Sequence, residues 1–212
     1  MRLLLHSCCG PCSLEPTRLF REEGVDFDID YCNPNIMPEE EYEHRRETLR
    51  EFVVEPCGVK LFEERYDPET WELDVGVHGL DREARCRACY RLRLERVACR
   101  AEELGYDAIA TTLTISPYQY TQVILEELAA AASRHGLQAI CRDFSQYYAC
   151  ATKKSKQLGM YRQNYCGCRF SITEAQQQRE KAKLERERQK AFKHRALIWA
   201  AAEGAVNQAS QL

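Results

Sequence analysis

Six cysteines in three close pairs carry the chemistry this sequence offers: Cys8-Cys9, Cys86-Arg87-Ala88-Cys89 and Cys166-Gly167-Cys168. A thiolate ligates soft metals, and two thiols store electrons by closing to a disulfide. Pairs at these spacings therefore point to a metal centre, a redox dithiol, or both. The first pair, with Cys12 nearby, follows Leu3-Leu4-Leu5-His6, an apolar run that reads as a buried strand. Ligands bind at the carboxyl ends of such strands in open α/β sheets. The second pair opens a predicted helix, where a spacing of three puts both sulfurs on one face. The positive end of the helix favours the thiolate there, and Arg85, Arg87 and Arg91 push the same way. The third pair is too close for an unstrained disulfide in regular backbone, a limit that Gly167 relaxes. It is either two further ligands or a switchable dithiol, and the dithiol is the better reading because two pairs already supply four ligands. Four thiolates suit zinc or a [4Fe–4S] cluster. A zinc ribbon uses two C-x-x-C knuckles, and Cys8-Cys9 is not one, which tips the balance toward iron.

The remaining cysteines stand alone. Cys99 in a helix and Cys141 in a strand are expected to pack as small hydrophobes. Cys32 precedes a loop on the strand side nearest the site and is the isolated cysteine to watch.

The hydrophobic pattern supplies elements to position these groups. Strands are predicted at 2–6, 25–32, 59–62, 107–113 and 137–141. Helices are predicted from Cys12 to about Glu23, from Pro38 onward, over 84–104 and over 117–135, the last opened by a capping box of Ser116, Pro117 and Gln119. Residues 67–82 read as a less regular insert. The alternation implies an α/β fold: a mostly parallel sheet with helices on both faces. After Ser171 the cysteines stop, and mixed Lys, Arg and Glu predict a solvated helix leading to an apolar patch at Leu197, Ile198 and Trp199. The expected division is a catalytic domain over 1–171 and a charged helical extension over 172–212.

Composition sets the class. The 212 residues are 44% hydrophobic with a net charge of −3, an ordinary globular balance. No apolar run approaches the roughly 20 residues of a membrane span, and no secretory signal opens the chain, so a cytoplasmic location is expected. Twelve cysteines in a reducing compartment argue for ligation or redox chemistry over structural disulfides. The near-neutral charge argues against non-specific coating of nucleic acid, while leaving room for a local basic face.

Several stretches carry a resemblance. They are Leu5-His6-Ser7-Cys8-Cys9-Gly10-Pro11-Cys12, Tyr31-Cys32-Asn33-Pro34-Asn35-Ile36 with Pro38-Glu39-Glu40-Glu41-Tyr42, Arg85-Cys86-Arg87-Ala88-Cys89-Tyr90-Arg91-Leu92-Arg93-Leu94, Thr111-Thr112-Leu113-Thr114-Ile115-Ser116-Pro117, and Met160-Tyr161-Arg162-Gln163-Asn164-Tyr165-Cys166-Gly167-Cys168. In this order and spacing, over about residues 1 to 171, the chain resembles the QueH family of epoxyqueuosine reductases. The resemblance implies reduction of an epoxide on the modified guanosine at the tRNA wobble position, the last step of queuosine synthesis. It implies an adenine-nucleotide α-hydrolase-like (HUP) layer. It also implies a [4Fe–4S] cluster on Cys8, Cys9, Cys86 and Cys89, and a redox-active disulfide at Cys166 and Cys168. The stretch Gln146-Tyr147-Tyr148-Ala149-Cys150 departs from the family's more basic, glycine-containing one.

Further expectations follow for the site. Asp143, after the last strand, is a candidate oxygen ligand or proton donor, or the cap of the next segment. His6 is a candidate proton donor or a structural residue. Lys153, Lys154, Lys156, Arg162 and Arg169 are candidates to hold the anticodon stem-loop, and Tyr118, Tyr120, Tyr161 and Tyr165 to stack on a splayed base. An electron donor from outside the chain is required, and an additional mononuclear metal ion is a further cofactor to consider. Two other readings use the same cysteines: a zinc-stabilised RNA-binding module, and a thiol-based sulfur-transfer enzyme.

Overall fold

The structure, a computed structural model, describes residues 1–209, with side chains as far as Arg195. Met1–Arg169 forms one compact unit and a second begins at Phe170. The first unit is built on five parallel strands in the order β3-β2-β1-β4-β5: β1 Arg2–His6, β2 Asp26–Tyr31, β3 Leu61–Glu63, β4 Ala108–Thr111 and β5 Gln138–Ala139. β1 is central because its leucine run can be buried on both sides, and Leu3, Leu4 and Leu5 have no exposed surface. Alternation sends Leu3 and Leu5 to one face, where they meet Phe20, Phe27 and Ile29. Leu4 goes to the other face, with Leu94, Val97, Ile109 and Ile124.

The helices divide accordingly. α1 (Gly10–Glu22), α2 (Glu39–Leu49), a π-helical turn at Arg50–Val54, the short α3 (Glu55–Cys57) and α7 (Tyr148–Gln157) belong with the first face. α5 (Arg82–Glu103) and α6 (Thr121–Arg134) cover the second. α5 stops where Gly105 takes a φ of +70°, and the Tyr106 amide then bonds back to the Ala101 carbonyl at 2.9 Å. The α/β alternation is as the pattern predicts. The last helix, α8 (Arg169–Ala209), is exposed throughout 176–195, as its mixed charges require. The side chains of Leu197, Ile198 and Trp199 lie outside the described residues. No helix among the described residues is long and apolar enough to cross a membrane.

Four local expectations are corrected. The insert is not irregular: it holds α4 (Pro68–Asp74), capped by Asp67 Oδ1 on the Thr70 amide at 3.2 Å. The capping box at Ser116 does not form. Residues 117–119 make a turn, and α6 starts at Thr121 without a side-chain cap. α5 begins two residues early, with Asp81 as its cap, so Cys86 sits in the second turn and not at the helix terminus. Cys99 and Cys141 are exposed: Cys99 is on α5 outside its buried positions, and Cys141 lies two residues past the end of β5 and not in a strand.

Candidate metal centre

In a sheet of this order the chain leaves β1 toward β2 and enters β4 on the other side, so a crevice opens between their carboxyl ends. His6, the last residue of β1, is paired with Asp30 of β2 and Thr111 of β4. The segment after β1 therefore lies over that crevice. Cys9 is the N-cap of α1, and Cys12 is in its first turn. This places the sulfurs of Cys8, Cys9 and Cys12 all within 4.8 Å of one another, with Cys8 and Cys9 3.9 Å apart. Hydrogen bonds from Cys12 and then Cys9 hold the Cys8 thiol well below its ordinary pKa. Burial pushes Cys9 up to about 12. Of the three, Cys8 is the one whose thiol is pulled toward the ionised form. Just past β4, the Thr112 hydroxyl accepts from the Cys8 amide at 3.2 Å, and the Gln163 amide nitrogen reaches Cys9 Sγ at 2.7 Å.

The other four cysteines of the close pairs form a second group. Cys86 and Cys89 lie on α5, and the electrostatic neighbours of Cys86 are Cys166, Cys89 and Cys168. Burial pushes Cys86 up to about 12 and Cys166 up to about 11, so the expectation of a helix-lowered C-x-x-C pKa is reversed. Second-turn placement removes the benefit of the helix terminus, and although Arg85 still pulls the Cys86 thiol down, burial outweighs it. Arg87 and Arg91 pair with Glu127 at 3.0 and 2.9 Å, and Arg85 donates to the Gly79 carbonyl. The C-x-C loop is held at several points. Arg45 donates to the Cys166 carbonyl at 2.8 Å, and the Gln119 amide to Cys166 Sγ at 3.4 Å. The Gly167 carbonyl accepts from the Met37 amide at 3.0 Å. Gly167 has φ +144°, and a Cβ there would meet Asn35 Nδ2 at 2.7 Å, so only glycine brings this loop against the Asn33–Met37 segment. All twelve cysteines are free thiols.

Arg93 links the two groups. It is 1% exposed, and its described hydrogen bonds go to the Cys32 carbonyl at 3.3 Å and to Asn33 Oδ1, with no carboxylate among them. A buried cation without a counter-charge is very costly. Burial works against its charge, and Cys89, Cys8, Cys166 and Cys32 work for it, so the guanidinium faces cysteines of both groups. Three buried polar atoms of this region, Ser7 Oγ, Asn35 Oδ1 and Gln163 Oε1, have no partner among the described residues, as at a site shaped around a bound group. Soft donors, a buried positive charge and unmet polar atoms together fit a thiolate-bound metal centre.

The other expected residues fall as follows. Asp143 is exposed and accepts from the Ser145 amide at 2.8 Å, an Asx turn one residue before the N-cap Phe144. Lys154 pairs with the buried Glu15 at 2.8 Å, and Arg169 with Glu72 at 2.8 Å. Lys153, Lys156 and Arg162 are exposed and carry no described ion pair. Tyr165 donates to the Met37 carbonyl beneath Arg45, and Tyr161 donates to Glu41 while stacking on His44. Arg82 lies over Tyr120, and Tyr118 is 61% exposed. The Cys32 sulfur donates to Glu64 at 3.2 Å, so this residue serves the site through its carbonyl.

His6 is wholly buried, with Nδ1 2.8 Å from Thr111 Oγ1 and Nε2 3.1 Å from the Cys32 carbonyl. A carbonyl only accepts, so Nε2 carries the proton and Nδ1 accepts from Thr111. Burial, then the charge of Arg93, pushes the pKa down to about 3, and His6 is a neutral strut. The unfolded chain takes a proton near 6.5 that the folded chain refuses. Stability from this residue is therefore intact above about 6.5 and falls by about 1.4 kcal/mol per pH unit down to about 3. His6→Asn should flatten this acid limb in urea titrations; equal slopes in the two proteins would place the proton elsewhere.

Arg93, Arg45, Gln119, Gln163 and Trp71 were not marked by their sequence context. Arg93 could have been: it follows Cys86 by seven and Cys89 by four, and so shares their helical face. The others come from segments remote in sequence, and no local spacing announces them.

Comparison with known proteins gives the family. A family model described as epoxyqueuosine reductase QueH matches residues 3–174. A relative of that name from Thermotoga maritima is 34% identical over 194 residues, covering 88% of this chain and 97% of the relative. One from Dehalococcoides mccartyi is 31% identical over 170 residues, covering 80% and 92%. One from Staphylococcus epidermidis is 34% identical over 181 residues, covering 80% and 76%. Since the matched region runs from β1 past the C-x-C loop and takes in all three cysteine pairs, the chain belongs to the QueH family of epoxyqueuosine reductases.

Proposed function

We propose that this chain converts epoxyqueuosine in tRNA to queuosine, with a [4Fe–4S] cluster held by Cys8, Cys9, Cys86 and Cys89. The observation that supports the metal centre is Arg93, a buried guanidinium that faces cysteines of both groups and has no carboxylate among its described hydrogen bonds. A bound cluster would supply one-electron transfer and a Lewis-acidic iron for the epoxide oxygen.

The reaction needs two electrons and two protons: the oxygen leaves as water and the two carbons become an alkene. Cys166 and Cys168 match that demand, because two thiols closing to a disulfide release two electrons and two protons. An external electron donor then reopens the disulfide. Burial keeps Cys166 protonated before it reacts, so electrons and protons are delivered together. The loop that carries the pair is positioned by Arg45, Gln119 and Gly167, as described above. For the RNA, Lys153 and Arg162 are the cations with charge to spare, whereas Lys154 and Arg169 are committed to Glu15 and Glu72.

A second reading of the ligands comes from Cys8, Cys9 and Cys12. Sulfurs around one tetrahedral ion with bonds of about 2.3 Å lie about 3.8 Å apart, close to the 3.9 Å between Cys8 and Cys9. That spacing favours an additional mononuclear ion on this triad.

Anaerobic purification followed by a single turnover with epoxyqueuosine-containing tRNA tests the proposal. The expected result is a brown protein with about four irons and sulfides, and one alkene product formed per enzyme when a reductant is given. Stoichiometric zinc without labile sulfide, or no product from a fully loaded enzyme, would overturn it.

A further inference from the structure

Trp71 is fully buried, yet it comes from the insert between β3 and α5 and not from the sheet or its main helices. Its indole nitrogen lies 3.3 Å from Cys89 Sγ. Indole has a single donor and no acceptor, so this is the one hydrogen bond the side chain can make. A phenylalanine or leucine would fill the same volume without needing a partner.

The segment around it is built to hold that donor still. Asp67 caps α4 through the Thr70 amide and hydroxyl, at 3.2 and 2.6 Å. Arg96 of α5 reaches the same carboxylate at 3.4 Å and Glu64 at 3.0 Å. Pro68 starts the helix, and the Trp71 carbonyl accepts from the buried Val75 at 2.8 Å. The next residue, Glu72, pairs with Arg169, directly after Cys168. Two consecutive residues of α4 thus engage the C-x-x-C helix and the end of the C-x-C loop.

We propose that Trp71 is a positioning residue of the metal centre, whose N–H holds the Cys89 sulfur and sets how readily the centre takes an electron. The inference rests on the reading of Cys89 as a ligand. Hydrogen bonds to a ligating sulfur stabilise negative charge, and the reduced centre carries more of it. Removing the donor therefore makes the centre harder to reduce.

The chain has two tryptophans, so global replacement by 3-benzothienylalanine in a Trp199→Phe background alters Trp71 alone. That analogue keeps the bicyclic shape and lacks the N–H. In anaerobically loaded holoenzyme, the iron content should match wild type and the reduction potential should move negative. A shift of about 59 mV is expected, equivalent to a tenfold change in the one-electron ratio of reduced to oxidised centre. Trp71→Phe should move the potential the same way with an added loss of stability. A full iron load with an unmoved potential would overturn the proposal and leave the ligand reading standing. A wild-type protein without iron and sulfide would overturn both.

Discussion

Cys86→Ala is expected to yield a protein without iron, while Cys168→Ala keeps the iron and loses repeated turnover. The contrast follows from the roles proposed for two cysteines that lie in the same electrostatic neighbourhood. Cys86 stands one helical turn from Cys89, so removing it takes one of four thiolates from the proposed set and leaves the others unable to hold a cluster. Cys168 follows Gly167 in a loop anchored by Arg45 and Met37 through backbone atoms. Truncating its side chain leaves those anchors in place and removes one of the two sulfurs that close to a disulfide. Iron and sulfide analysis with the absorption band near about 400 nm reads the first role, and multiple-turnover assays read the second. Loss of iron from Cys168→Ala would reassign the C-x-C pair as ligands. Retention of iron by Cys86→Ala would favour the tighter Cys8, Cys9 and Cys12 triad as the main metal site.

Arg93→Met should cost about 1–3 kcal/mol of stability, the range for leaving buried hydrogen-bonding groups without a partner. The substitution keeps most of the apolar stem and deletes the guanidinium. The Cys32 carbonyl and Asn33 Oδ1 lose their donor, and the thiolates lose their counter-charge. Urea unfolding under anaerobic conditions measures the stability, and iron content should fall in parallel. Arg93→Lys should recover only part of either, since an ammonium keeps the charge without the planar fork that bridges two acceptors. A stable, iron-replete Arg93→Met protein would show that the buried charge is not what holds the thiolates together. It would remove the main support for the metal centre.

These two variants also mark how far the site could be read before folding. Cys86 announced itself: a spacing of three in a helical segment puts two sulfurs on one face in any fold. Arg93 shares that face by the same arithmetic, but arginine on a helix is usually solvated, and nothing local says that this one is buried. The thiol pKa values were misjudged for the same kind of reason. A shift of the helix start from Ala84 to Arg82 took Cys86 out of the first turn, and burial, which no spacing reveals, then dominated. Gln119 was read as a capping residue. Instead it bridges the Tyr90 hydroxyl and Cys166, which lie 29 and 47 residues away.

The sequence by itself determined the class of fold and the three cysteine pairs. Strand and helix periods are local properties, and the leucine run of β1 can only be the middle of a sheet. Tertiary structure alone decided which sulfurs meet. The strand order carries β1 and β4 past each other, gathers Cys8, Cys9 and Cys12 at the crevice, and sets Cys86, Cys89, Cys166 and Cys168 together beyond Arg93. That grouping depends on contacts between segments more than a hundred residues apart for His6 and Thr111, and for Arg45 and Cys166. Close pairing follows from chain geometry within a few residues, whereas the company each pair keeps follows from the topology of the whole sheet.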